Sequence, residues 1–310
     1  MNRKTLGLLV VMGVLGCGVE HAQVSSQGDD LGTTEDSAEL SASSRTYVTL
    51  RRDSRKCLAP MCGGYFVGDV NRVNPSEKYV NSLDFSKSGL SADDIAVVLE
   101  APESELVLRG KLGPTEARFN TRSFLVYEAY RGMPGIEAKD STFYTVGDSE
   151  VRCVRAPCYS LTAKKLNSAT TRDATGVSVD RASKPLVDQN WLSIAVMRTE
   201  AIVAAKFVEV PANLGGKEVL VDASQVFLRV PQEQSCPVVK LAACPDDTER
   251  TWYRDDRRCL LPASCLEKSP DCPRASSVAC SPGYTRIKWA TEPDACTQTV
   301  CDPSWLFSGH

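Results

Sequence analysis

Cys57-Leu58-Ala59-Pro60-Met61-Cys62 recurs as Cys153-Val154-Arg155-Ala156-Pro157-Cys158, 96 residues further on. The same displacement carries Thr49 onto Thr145, Asn71 onto Asn167, Asp84 onto Asp180, Leu90 onto Leu186 and Leu106-Val107 onto Ile202-Val203. A solitary C-x4-C pair repeats by chance, whereas one offset held from Thr49 to Val203 reads as an internal duplication. The reading gives one β-rich module over 46–134, a linker over 135–142 and a second module over 143–231.

Each module is expected to run β-β-β-α-β-β. Thr46–Arg52 alternates as a strand, the cysteine loop turns, and Tyr65–Val70 and Tyr79–Phe85 follow. Ser91-Ala92-Asp93-Asp94 has the form of a capping box before the apolar run Ile95–Leu99. Leu106–Leu112 and Phe124–Tyr130 close the module. In the second copy a helix near Val187–Met197 places Trp191, Ile194 and Ala195 on one face, before strands at Ile202–Val210 and Glu218–Val230. The order fits a small OB-like barrel, and a half-open sheet covered by a helix equally well. The expected class is mainly β (α+β): two tandem small β-barrel or OB-like modules and a small disulfide-rich C-terminal region.

The short pairs Cys57/Cys62 and Cys153/Cys158 suit disulfides if each loop doubles back, which Pro60 and Pro157 favour. Such a bridge contributes ~2 kcal/mol in the chain-entropy picture. C-x4-C lacks zinc-ligand spacing, so no metal is expected there. Over 232–310 the composition changes: Cys236, Cys244, Cys259 and Cys265 are followed by Cys272, Cys280, Cys296 and Cys301. The steps are 8, 15, 6 and then 8, 16, 5. Units this small bury too little to fold unaided, so bridges replace a core. Equivalent pairing inside each set leaves three connectivities open.

The N-terminus reads as an export signal over 1–16, with Asn2-Arg3-Lys4 ahead of an apolar Leu6–Leu15. Val14-Leu15-Gly16-Cys17 resembles the bacterial lipobox, which implies acylation of Cys17. Removing Cys17 from the 13 cysteines leaves an even set in an exported chain. Residues 17–45 read as a flexible tether whose acidic stretch holds Glu20, Asp29, Asp30, Glu35, Asp36 and Glu39. The tether holds the folded part roughly 30 Å from the lipid. Gly18 is not the aspartate that retains lipoproteins at the inner membrane, so the expected address is the outer membrane or cell surface. The expected membrane contact is through the N-terminal lipid.

Lys plus Arg is 36 against Asp plus Glu 39, a net charge of −3, which supplies no nucleic-acid footprint. The two histidines, His21 and His310, lie near the chain ends, so His-dependent triads and zinc sites are excluded between them. No nucleophile elbow, phosphate loop or calcium loop is present. Asp246-Asp247, Glu249 and Asp255-Asp256 read as a solvated turn among arginines. No catalytic residue, cofactor or metal is expected. Two stretches suggest recognition: Tyr65 and Phe66 after the Gly63-Gly64 pair, and Arg257-Arg258 beside Cys259. A basic residue on a bridged loop is how small inhibitors meet trypsin-like proteases.

Arg51-Arg52-Asp53-Ser54-Arg55-Lys56-Cys57 through Met61-Cys62-Gly63-Gly64-Tyr65-Phe66 resembles a domain of unknown function found in myxobacterial lipoproteins and secreted proteins. The likeness covers residues near 45–135. The second copy departs from it, with Tyr159-Ser160 in place of the glycines, so that if the glycines serve a ligand contact, the second copy has lost it. The resemblance implies a surface location and no activity. The C-terminal cysteine pattern is distantly similar to antistasin-like inhibitor modules. The expected function is a non-enzymatic, lipid-anchored surface protein with an unknown protein or glycan partner. The alternative is a protease inhibitor acting through the C-terminal region.

Overall fold

The computed structural model describes residues 44–307, apart from 73–74, 141, 213–214, 231–235, 238, 256–257 and 274–277. Cys17, the export signal and most of the tether lie outside the described residues.

The chain is mainly β. Strand β1 (Thr46–Arg52) buries Thr46, Val48 and Leu50 and turns Tyr47, Thr49 and Arg51 the other way, as strand alternation dictates. After the cysteine loop come β2 (Tyr65–Asp69), β3 (Lys78–Val80) and β4 (Ser82–Asp84). Helix α1 (Ala92–Glu100) follows, then β5 (Leu106–Glu116) and β6 (Thr121–Gly132). The capping box of α1 is present: Asp94 N–H donates to Ser91 Oγ and Ser91 N–H donates to Asp94 Oδ2, each at 3.1 Å. Such a cap contributes about 1 kcal/mol.

The second half repeats the order as β7 (Phe143–Asp148), β8 (Leu161–Lys165), β9 (Thr171–Ala174), β10 (Gly176–Ser178), α2 (Gln189–Met197), β11 (Ala201–Pro211) and β12 (Lys217–Val230). Each half thus has one more short strand before its helix than the expected β-β-β-α-β-β, because the third strand breaks at Asn81 and at Thr175.

The twelve strands form one sheet, ordered β3-β2-β1-β5-β6-β12-β11-β7-β8-β9, with β4 parallel to β6 and β10 parallel to β12. No half closes as a continuous barrel; the expectation of two separate barrels is corrected here. The reason lies in the length of β6 and β12, which outrun their own halves. The early part of β6, Ser123–Leu125, pairs with β4, whereas Ala129–Gly132 pairs with Phe227–Val230 of β12. In that register Arg131 lies opposite Leu228 and Tyr130 opposite Arg229.

Two exchanged asparagines lock the halves. Asn71, in a left-handed turn at φ 64°, donates through Nδ2 to Phe143 O (2.8 Å) and Leu166 O (2.9 Å), and its Oδ1 accepts from Phe143 N–H (2.7 Å). Asn167, at φ 55°, does the same to Tyr47 O (2.7 Å), Val70 O (3.3 Å) and Tyr47 N–H (2.8 Å). Between these clamps Val70, Val107 and Tyr130 of one half and Leu166, Ile202, Ala204 and Phe227 of the other form a shared buried cluster. The residues expected to belong to separable modules therefore share one interior.

The C-terminal region forms two hairpins, β13 (Thr248–Arg254) with β14 (Leu260–Glu267), and β15 (Tyr284–Thr291) with β16 (Cys296–Pro303). Bridges join first to third and second to fourth cysteine in each set: Cys236–Cys259, Cys244–Cys265, Cys272–Cys296 and Cys280–Cys301. This region also packs on the sheet domain. Tyr284, Cys301, Trp305 and Leu306 join the main core, and Cys301 N–H donates to Leu186 O at 2.8 Å. No helix among the described residues is long and apolar enough to cross a membrane.

Candidate functional site

Strand alternation sends Tyr65 and Phe66 to opposite faces. Tyr65 packs against the main core, beside Leu83. Phe66 faces outward in a cross-strand row, with Arg51 of β1 on one side and Tyr79 of β3 on the other. The Arg51 guanidinium lies 4.3 Å from the Phe66 ring centre, and Arg55 lies 5.1 Å from both the Phe66 and Tyr79 rings. Phe66 and Tyr79 meet edge to face at 5.6 Å. Cation–π contacts of this kind contribute roughly 0.5–1 kcal/mol each at exposed sites.

The Cys57–Cys62 bridge forms, and its loop lies beside this row: Tyr79 OH donates to Pro60 O at 2.9 Å. Asp53 organises the loop from below. Its carboxylate accepts Arg55 Nε and Nη2, both at 2.9 Å, and the backbone N–H groups of Arg55 and Gly63. Arg55, followed by those backbone donors, holds the Asp53 carboxyl at about 2, below the ordinary carboxylate range. Arg51 is paired with Glu77.

The glycine pair serves the fold rather than a ligand. Gly63 sits at φ +82°, and a Cβ on Gly64 would lie 2.1 Å from Val80 O, so only hydrogen lets β3 approach β2.

The outer face continues along the sheet. Tyr47 pairs with Arg109, and Arg109 with Glu128, in neighbouring strands. Arg109 Nη1 meets Glu128 Oε1 at 2.9 Å, and Tyr130 OH donates to Glu128 Oε2 at 2.7 Å. Burial first, then Tyr47 and Glu128, pushes the Tyr130 phenol up. Arg45 stacks on Tyr127 at 3.9 Å. The equivalent row of the second half differs: Gly147, Thr162 and Asp173 stand where Arg51, Phe66 and Tyr79 do, with Thr162 donating to Asp173. The second half makes its own arginine–aromatic stack with other residues, Arg172 on Phe207 at 4.1 Å. Its own loop closes through Cys153–Cys158.

Arg258 is not presented to a partner. It is 7% exposed; its guanidinium binds Asp302 and, at 2.9 Å, Asp188 Oδ2, and stacks on Trp191 at 4.2 Å. Arg254 meets the same Asp302. A side chain so enclosed cannot enter a protease pocket, which corrects the exposed placement expected of it. Arg257 lies outside the described residues. Among the described residues no group of three His, Cys, Asp or Glu side chains is arranged to hold a metal.

Phe66 was visible in the sequence; Arg51, Arg55 and Tyr79 were missed as partners, and the signal that could have found them was the cross-strand register of β1, β2 and β3. The arrangement sets two guanidinium groups, each already paired with a carboxylate (Glu77 and Asp53), against the half-buried rings of Phe66 and Tyr79.

A family described as a domain of unknown function (DUF6748) matches residues 46–233. The chain belongs to this family. The DUF6748 span begins at β1 and runs past the end of β12, so one family domain takes in both halves of the sheet. An uncharacterized protein of Dictyostelium discoideum is 26% identical over 274 residues, 85% of this chain and 89% of its own length. A match of that extent reaches beyond the DUF6748 span into the disulfide-rich region. No solved structure matches.

Proposed function

We propose that the protein is a lipid-anchored cell-surface protein that binds its partner without catalysis, through the outer face of its first half. The observation that carries this reading is the stack of Arg51 and Arg55 on Phe66 and Tyr79 beside a bridged loop, present in one half and replaced by Gly147, Thr162 and Asp173 in the other. A purely structural row would be expected in both halves, since both strands carry the same load in the sheet. Anchoring rests on the lipobox at Cys17, and an outer-membrane or surface address on that anchor and on six disulfides.

Shared element order, mirrored strand order and the Asn71/Asn167 pair support reading the halves as copies of one ancestral unit. Within each copy, the connectivity β1-β2-β3 with β4 parallel to β6 supports an OB-like ancestor whose last strand was extended to join the halves.

The test is retention of fluorescently labelled protein on intact cells. Arg51→Ala with Phe66→Ala is expected to lose at least tenfold in retention, while Asp173→Ala keeps it. Equal retention of all three proteins ends the reading. For the anchor, Cys17→Ser is expected to lose lipid labelling and membrane fractionation.

A further inference from the structure

We propose that the Cys57–Cys62 bridge, and its counterpart Cys153–Cys158, are thiol–disulfide exchange sites for cysteine-containing polypeptides, a role beyond the binding face and independent of it. Cys57 is exposed while Cys62 is 5% exposed, so an incoming thiolate reaches one sulfur of the pair and not the other. The second loop has the same polarity, with Cys153 exposed and Cys158 half-buried. A basic residue neighbours each exposed cysteine in sequence, Lys56 in the first loop and Arg155 in the second, while Arg55 and Arg152 are paired with Asp53 and Asp148. Positive charge of this kind favours the thiolates that carry exchange.

A second observation gives the substrate class. Leu58 (80% exposed), Met61, Val151, Val154 and Tyr159 all lie on these two loops, five of the ten exposed large hydrophobic residues among the described residues. Exposed apolar side chains around an exposed sulfur form a docking collar for an unfolded or extended peptide, not for a small polar thiol. The loops are also short, their paired cysteines 5 positions apart in sequence against 21 to 24 in the C-terminal region. Opening them therefore releases little of the fold. Cys236 has the same polarity, exposed against a buried Cys259, but that bridge spans 23 positions and closes the packed C-terminal region.

In the exchange, one thiolate of a peptide dithiol attacks Cys57 Sγ. The S–S bond breaks and its electron pair leaves on Cys62 Sγ. The second peptide thiol then attacks the peptide sulfur of the mixed disulfide, closing the peptide disulfide and expelling Cys57 as a thiolate. The two protons of the peptide dithiol end on Cys57 and Cys62. The peptide is oxidised and the loop reduced, one for one.

The test incubates the whole oxidised chain with a reduced apolar Cys-x-x-Cys peptide, quenches with an alkylating agent and maps modified cysteines by mass spectrometry. Cys57, Cys62, Cys153 and Cys158 are expected to label at least tenfold faster than any cysteine after Cys236, that one included. Leu58→Ser with Met61→Ser is expected to slow the first loop several-fold, whereas Tyr253→Ser, an exposed apolar change on β13, does not. Reduction of the C-terminal bridges first or at the same rate overturns the proposal, as does a peptide rate unaffected by the Leu58 and Met61 changes.

Discussion

Replacing Asn71 with alanine removes three hydrogen bonds at once, two from Nδ2 to Phe143 O and Leu166 O and one from Phe143 N–H to Oδ1. Each contributes about 1 kcal/mol net. Asn71 also sits at φ 64°, where alanine pays roughly 1 kcal/mol more than asparagine. The expected loss is about 4 kcal/mol for Asn71→Ala and about 3 kcal/mol for Asn71→Gly, which tolerates the turn. With a urea slope of roughly 2 kcal/mol/M, the alanine midpoint falls by about 2 M. Because the bonds cross from one half to the other, the transition is expected to stay single. Hydrogen exchange read by mass spectrometry is expected to rise over both 46–70 and 143–166. A loss below about 1 kcal/mol, or deprotection confined to 46–70, refutes the reasoning that the halves form one interior.

Acidification tests the Asp53 anchor: its carboxyl is depressed to about 2, so its contribution is present above the ordinary carboxylate value of about 4 and fades as pH falls from there toward 2. The Gly63 amide signal is expected to move over that window in the native chain and not in Asp53→Asn. Gly64→Ala is expected to cost at least about 2 kcal/mol in thermal or urea unfolding, since the added Cβ strikes Val80 O. Arg258→Ala leaves Asp302 short of one of its two arginines and is expected to cost about 3–5 kcal/mol, while trypsin leaves the native chain uncut after Arg258. Removing Cys280–Cys301 by paired serine substitution is expected to cost ~3 kcal/mol, against ~2 kcal/mol for Cys57–Cys62, because the longer loop restrains more of the unfolded chain.

Local signals carried much of the architecture. The alternation of Thr46–Arg52 marks β1 to the residue, and Ser91 with Asp94 marks the start of α1. The short cysteine pairs announce their own bridges. What joins the halves was not legible, because Ala129–Gly132 reads as a strand whichever strand it pairs with; its partner is chosen by twist and length, not by residue type. Asn71 and Asn167 stood out as a repeat, yet their bonds reach 72 and 120 residues along the chain. At Tyr65-Phe66, alternation says that the two side chains part, but only the α1 side of the sheet decides which one is buried. Arg258 misled for a related reason. A charged residue beside a bridged cysteine reads as surface until Asp302, 44 residues away, folds over it.

The outer face of the first half is the proposed place where this chain meets its partner. The direct measurement places a photo-crosslinking amino acid at Tyr79, or at the equivalent Asp173 of the second half, in the full chain, and irradiates intact cells. A discrete adduct from position 79 and none from position 173 is the predicted result. Adducts of the same kind and yield from both positions, or from position 173 alone, contradict it.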